Sequence, residues 1–475
     1  MTKKTKWSYC VGAVGRDAAY ALVSMYLILY VQYTMNLTTA QFAVISASMV
    51  VCMVWDAIND LMMGIIIENT HMKMGKFKPW ILMGAILNAC VIIALFTVRP
   101  TGWGFVAFYS VGYLLWGMTY TMNDIAYWGM LPSLSSDAQV RNVLVTTMSV
   151  FTCIGQFLVA GIVPMVIAGN AVQAYRVIAL VVGLLFIAFQ ALTAFGVTEQ
   201  NREEMADKLS LKDMFHIFAR NDQLVSVGVA SLLFNIGQNL LIIFGVNFFY
   251  VEFGYAQSGD LVFLFTVMYG LGTLFSQASY AAVMNRFRRI QVLTFSTAGV
   301  VILYLLFLSV GYLLPKNVIL INVIGLCIFF FQGMINLTVI VMINNTIEYD
   351  EYRYRERHDS VISAVRSFSV KLAAGINQGL STLVLILSGI YATSQKISAL
   401  EIQADQGSIT SQEVRNTADA YLGAILPSQG FVLRLGMTLI PIATICGMFF
   451  LLRKKYKIDE TEYARLVEEL DHRRG

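Results

Sequence analysis

Charge is scarce in this sequence. Asp, Glu, Lys and Arg make up 13% of its 475 residues, about half the share found in an ordinary soluble domain, while 57% of the chain is hydrophobic. That balance excludes a soluble enzyme of this length. Cysteine is sparse too: Cys10, Cys52, Cys90, Cys153, Cys327 and Cys446 stand singly, no two near enough in sequence to form a metal or redox pair. The four histidines, His71, His216, His358 and His472, lie in or near polar segments, none at metal-ligand spacing, so a zinc or triad enzyme has no support. No G-x-x-x-x-G-K-[ST] run occurs, which removes a P-loop as the energy source. Only seven prolines are present, and Pro79, Pro132, Pro164, Pro315, Pro427 and Pro441 fall near the ends or kinks of apolar runs, where a missing backbone donor costs least.

What the chain has in abundance is apolar runs, with a mean hydropathy of +0.66. A membrane span needs about 20 apolar residues. Runs of that length fall near 10–35, 41–67, 79–98, 103–131, 143–169, 175–196, 223–251, 259–283, 290–314, 318–345, 362–391 and 428–452. They predict an all-α membrane protein of twelve spans in two six-helix halves. Residues 1–197 form the N-terminal bundle, 198–222 a cytoplasmic linker, 223–452 the C-terminal bundle and 453–475 a cytoplasmic tail. The basic N-terminal stretch runs into an uncleaved first span, since Arg16 and Asp17 interrupt what would be a signal-peptide core.

Of the 33 Lys and Arg residues, only Arg99, Arg176, Lys316, Lys396 and Arg415 fall in outer loops, and Arg16, Arg366, Lys371 and Arg434 in spans. The rest lie on one side, which the positive-inside rule makes cytoplasmic, together with both termini. The net charge of +4 therefore reports orientation and implies no nucleic-acid partner. Basic turns after spans two and eight echo each other, suggesting a repeat with its binding site near the midplane. Residues 348–359 read as a charged cytoplasmic loop, and 391–428 as a polar external loop with room for a short amphipathic helix.

Ionisable side chains within spans are costly and mark function or tight pairing. Asp56, Asn59 and Asp60 in span two recur at offsets of three and four, hence on one helical face. Two carboxylates and an amide oxygen make a hard-oxygen site suited to a small bare cation. In span four, Thr121, Asp124 and Trp128 share a face. The hydroxyl completes such a cation shell, and a carboxylate beside a flat ring suits a neutral sugar, accepting its hydroxyl hydrogens while the ring covers its C–H face. The competing reading is a charge cluster that locks helices together, with Lys371 or Arg16 as counter-ion; for Arg16 and Asp17 it is a local ion pair. Arg366 and Arg434 read as snorkelling side chains. The span amides of the second half, among them Asn235, Gln332 and Asn377, either bind hydroxyls or join helices.

The run WDAINDLMMGIIIENTHMKMGKFKPW over Trp55–Trp80, with Gly15-Arg16-Asp17, WGMTYTMND over Trp116–Asp124 and Val370-Lys371, resembles the glycoside–pentoside–hexuronide:cation symporters, the melibiose-permease-like branch of the major facilitator superfamily. The resemblance covers essentially the whole chain. It implies the major facilitator fold, alternating access, a monomer in the bacterial inner membrane, and uptake of a sugar or glycoside driven by Na⁺ or H⁺, with no other cofactor. It implies a cation site of Asp56, Asn59, Asp60 and Thr121 with Lys371 close by, and a sugar site of Arg16, Asp17, Asp124 and Trp128. Where the family's sugar site has a span-five arginine this chain has Ser149, which favours a glycoside other than melibiose. Na⁺ and H⁺ coupling both remain open, because carboxylates sharing a site tend to hold one proton. A lysolipid carrier of the same fold is the rival reading.

Overall fold

The computed structural model describes residues 2–70, 72, 74–135, 138–198, 211–355 and 359–474. Among them no β-strand forms, as expected where every backbone polar group must be satisfied within its own segment. The first bundle comprises α1 Lys3–Thr34, α2 Thr39–Asn69, α3 Lys78–Thr97, α4 Gly102–Leu134, α5 Ala138–Ile167 and α6 Ala171–Gly196. There follow α7 Leu211–Arg220, α8 Asp222–Phe253, α9 Ser258–Met284, α10 Arg289–Ser309, α11 Val318–Tyr354, α12 Asp359–Leu387, α13 Ile390–Asp405, α14 Ser411–Gly423, α15 Pro427–Lys455 and α16 Glu460–Arg474.

Eleven of these, among the described residues, are long and apolar enough to cross a membrane. The twelfth span is α4, 33 residues long with Asp124 its only charged residue; its hydropathy is lowered by the Tyr, Trp and Gly residues that build the site below. Local signals set the helix ends. Thr38 and Gln41 form a reciprocal capping box on α2, Pro79 enters α3 in its first turn, and Thr410 with Glu413 caps α14, each satisfying backbone donors that the first helical turn leaves open. A single π turn, Leu22–Tyr26, interrupts α1.

The chain divides into two compact units. The first contains residues 1–205, 246–263 and 382–430, and the second 206–245, 264–381 and 431–475. Within the first, the segment expected as an external loop is built of two helices, α13 and α14, seated by buried polar bonds that composition alone does not reveal. Glu401 of α13 is fully buried. Its carboxylate accepts from Gly169 N at 2.8 Å, Ala171 N at 2.6 Å and the Tyr255 hydroxyl at 2.6 Å, so it caps the N-terminus of α6, where a negative charge is favoured. Burial pushes its pKa above the usual carboxylate range, against the pull of these donors and Arg415. Around it, Arg415 Nε donates to Ala168 O at 3.0 Å, Asp419 Oδ1 accepts from Tyr255 N at 2.5 Å, and Asp405 lies 3.6 Å from Arg176.

Two expectations change in the second unit. Residues 348–354 are the last turns of α11 rather than loop, ending where Arg355 turns left-handed at φ 60°; residues 356–358 lie outside the described residues, as do 199–210 of the linker and His71 and Lys73 of the turn after α2. Helicity there is fixed by partners: Tyr349 and Arg353 donate to Asp222 at 3.0 and 2.9 Å, and Asp350 accepts from the capping residue Asn221 at 3.2 Å. Arg434 does not snorkel. It is 1% exposed, donates to the Val310 carbonyl and covers the Tyr312 ring at 4.8 Å, so its charge is satisfied in place. The cysteines are free thiols, Cys10 and Cys52 buried and Cys90 and Cys153 exposed.

Candidate functional site

The site grows from four helices of the first unit. Buried amides tie α3, α4, α6 and α1 together around it. Asn88 Nδ2 of α3 donates to the Trp116 carbonyl and the Thr119 hydroxyl of α4, both at 2.8 Å. Asn123 Nδ2 donates to Ile81 O at 2.8 Å and Gln190 Oε1 at 3.0 Å, and Gln190 Nε2 to Gly12 O at 2.8 Å. One chain of side-chain bonds thus runs from α3 through α4 and α6 to α1, and each buried polar group left without its partner would cost about 1–3 kcal/mol. Tyr9 and Tyr127 stack at 4.6 Å and donate to each other's backbone carbonyls, pinning α1 to α4 one turn beyond Asp124.

On α2, Asn59 is buried and Asp56 and Asp60 half-buried. α4 runs alongside in matching register: the Thr121 hydroxyl donates to Asp60 Oδ1 at 3.0 Å, and one turn earlier a methyl group at Gly117 would lie 2.5 Å from Asp56 Oδ1. Only glycine lets the first carboxylate come so close to the α4 backbone. Asn59 Nδ2 is buried with no hydrogen-bond partner among the described residues.

Two turns further, the Arg16 guanidinium holds α1 and α4 together. Nε and Nη2 donate to Asp17 Oδ2 at 3.2 and 2.8 Å, and Nη1 stands 3.3 Å from Asp124 Oδ1. Arg16 also lies over the Tyr127 ring at 4.5 Å and the Trp128 ring at 5.6 Å. Arg16 and Asp17 are almost wholly enclosed, whereas the Asp124 carboxylate is 35% exposed and Trp128 41% exposed. An open carboxylate beside an open indole is an arrangement that can accept hydroxyl hydrogens and cover an apolar ring face.

The structure therefore brings Asp60 to Thr121, and Arg16 to Asp17, Asp124 and Trp128. Lys371 stands half-buried on α12 in the second unit. Ser149 of α5 is exposed and donates to Val145 O of its own helix at 2.8 Å, so it takes no part in the Asp17 network. Thr152 and Gln156, one and two turns on, do: Thr152 Oγ1 donates to Asp17 Oδ2 at 3.0 Å and Gln156 Nε2 to Asp17 Oδ1 at 3.3 Å. Gly155 between them makes this possible, since a Cβ there would lie 2.3 Å from Val14 O. Sequence reasoning missed both residues, and missed Tyr20 of α1, whose ring lies 5.2 Å from Tyr120 and 6.0 Å from Trp116, between the two groups of carboxylates. The available signal was periodicity: Tyr113, Trp116 and Tyr120 follow each other at helical spacing toward Asp124.

Residues 8–460 match the family described as MFS/sugar transport protein. A lactose permease of Leuconostoc lactis is 27% identical over 428 residues, covering 83% of this chain and 64% of the relative. A raffinose carrier protein of Pediococcus pentosaceus is 24% identical over 415 residues, covering 82% and 64%. The chain thus spans just under two thirds of the length of these relatives. Among solved structures, a D-xylose–proton symporter superposes with a TM-score of 0.59 at 14% identity over 90% of this chain and 98% of that one, which fixes the major facilitator fold. The chain is a multi-pass membrane protein, and it belongs to the MFS/sugar transport protein family.

Proposed function

We propose that this protein carries a sugar or glycoside into the cell by cation-coupled symport, with Na⁺ as the coupling ion. The observation that carries the reading is that one rigid helix, α4, contributes to both groups of span carboxylates: Thr121 reaches Asp60, and Asp124, three residues on, reaches Arg16. A small cation at Asp56, Asn59, Asp60 and Thr121 would neutralise carboxylates that are costly to leave ionised in a membrane. It would also fix the face of α4 that presents Asp124 and Trp128 to a sugar. Linkage requires that sugar tighten cation binding by the same factor. The names of the lactose and raffinose relatives support an oligosaccharide or glycoside as cargo. Asp56 and Asp60 one turn apart support a second reading, in which one shared proton replaces Na⁺.

The test is binding of a glycoside panel to the purified full chain in nanodiscs, with and without Na⁺ at fixed pH, beside Asp56→Cys and Asp124→Cys. Tighter binding with Na⁺, lost dependence in Asp56→Cys and lost binding in Asp124→Cys are expected. Binding that ignores Na⁺ but tightens as pH falls favours the proton reading. Absence of glycoside binding, or indifference to both substitutions, defeats the assignment.

A further inference from the structure

The second unit carries, at the end that the positive-inside rule makes cytoplasmic, a ledge of basic side chains that the transport reading does not use. Two turns build it, residues 285–288 between α9 and α10 and residues 456–459 between α15 and α16. One carboxylate joins them: Glu460 Oε1 accepts from Arg289 N at 2.6 Å and stands 3.4 Å from Arg289 Nε. The second turn is held along its length. Lys457 N donates to Gln223 Oε1 at 2.8 Å and the Tyr456 hydroxyl to Met342 O at 3.4 Å, Asp459 Oδ1 accepts from Glu462 N at 2.8 Å, and the Ile458 side chain is wholly buried. A run of charge is ordinarily a solvated, mobile face; here the backbone is fixed and the cations stand outside it.

Arg286, Arg288, Arg453, Lys454, Lys455 and Lys457 are all exposed, and none of them makes an ion pair among the described residues. The acidic groups around them are engaged elsewhere. Glu460 takes Arg289, Glu462 takes Arg465 at 2.6 Å, Asp222 takes Arg353 at 2.9 Å, and Asp459 caps α16. Arg288 and Lys457 act on Asp459 and Asp222 only through space. Beside the cations lies apolar surface: Phe287, between Arg286 and Arg288, is 45% exposed, Phe295 of α10 is 63% exposed, and their rings meet edge to face at 6.3 Å. Water satisfies the cations but not that strip, whereas a phosphodiester headgroup with acyl chains satisfies both.

We infer that this ledge binds an anionic phospholipid of the cytoplasmic leaflet, its phosphate bridging the α9–α10 and α15–α16 turns and its chains covering Phe287 and Phe295. The guanidinium groups offer paired N–H donors to phosphate oxygens, and the lysines offer point charges. Any cytoplasmic cation is drawn to an anionic leaflet; this patch differs in that two turns distant in sequence are locked together and adjoin an apolar strip. A lipid seated there fastens α16 to the second bundle, whatever the cargo or coupling ion.

The experiment titrates dioleoyl phosphatidylglycerol into the purified full chain in dodecyl maltoside micelles and follows the thermal midpoint, with dioleoyl phosphatidylcholine and soluble glycerol 3-phosphate in parallel. Phosphatidylglycerol is expected to raise the midpoint saturably, and the other two to leave it where it is. The double variants Arg286→Gln with Arg288→Gln, and Lys455→Gln with Lys457→Gln, are each expected to raise the half-saturating lipid fraction about tenfold. Arg453→Gln with Lys454→Gln is the alternative should either pair lose its thermal transition. Phe287→Ser is expected to raise that fraction severalfold. Lys3→Gln with Lys4→Gln, equally exposed in the first unit, is expected to titrate as wild type. Absence of a saturable response to phosphatidylglycerol, an equal response to phosphatidylcholine or to glycerol 3-phosphate, or an equal loss in the Lys3 and Lys4 variant overturns the inference and leaves the transport reading untouched.

Discussion

The Thr121 hydroxyl donates to Asp60 at 3.0 Å across the α2–α4 contact, tying the first bundle's most acidic helix to the helix that carries Asp124. Hydrogen bonds to charged groups contribute about 1.5–3 kcal/mol. Thr121→Ala is therefore expected to weaken the Na⁺ enhancement of glycoside binding about tenfold, since tenfold corresponds to about 1.4 kcal/mol, and Thr121→Ser to preserve it. A Na⁺ titration of glycoside affinity decides this; an alanine variant that follows the wild-type curve removes Thr121 from the site.

Gly117 places Asp56 against bare backbone. Gly117→Ala introduces a methyl group where a carboxylate oxygen now rests, an overpacking that costs about 1–3 kcal/mol. The expected signature is loss of Na⁺-dependent thermal stabilisation together with a lowered midpoint in Na⁺-free buffer. If Na⁺ still raises the midpoint by the wild-type amount, the close approach of α2 and α4 has no role in ion binding.

Arg16 joins two carboxylates inside the bundle. Arg16→Gln leaves Asp17 enclosed without its counter-charge, and removing one partner of a buried pair costs about 3–5 kcal/mol. Combining it with Asp17→Asn is expected to recover much of that stability without recovering glycoside binding, because Asp124 still lacks its orienting cation. Thermal midpoints and binding isotherms of the two single variants and the double variant form the necessary cycle.

Glu401 gives a pH dependence with a definite sign. Its carboxyl is held above the usual carboxylate range mainly by burial, so the folded chain binds this proton more tightly than the unfolded chain, whose ordinary glutamate value is near 4.3. The stability it contributes is complete below that value and declines as pH rises through the higher folded value. Glu401→Gln, which has no proton to lose, is expected to flatten the fall of the thermal midpoint above pH about 4.5. Glu401→Ala, which strands Gly169 N, Ala171 N and the Tyr255 hydroxyl, is expected to lower the midpoint at every pH. A wild-type pH slope in Glu401→Gln would place the titrating group elsewhere.

The spans and the α2 face of Asp56, Asn59 and Asp60 were legible because hydropathy and helical period are local properties of a continuous segment. The two helices between 390 and 423 escaped that reading, since their buried anchors, Glu401 and Asp419, look like surface residues until Ala171 and Tyr255 are seen beside them. The amides Asn88, Asn123 and Gln190 escaped for the same reason, each finding its partner on another helix.

By itself the sequence determined that the chain crosses a membrane many times, which segments cross it, and which carboxylates stand in the wrong solvent. Tertiary structure alone decided what those carboxylates meet. Asp17 and Thr152 lie 135 residues apart in the chain, and no periodicity links them; their bond exists because Gly155 carries no side chain to hold α5 away from α1. Burial of apolar surface selects the helices, but which polar groups pair between them depends on the close approach of backbones, which only the packed bundle fixes.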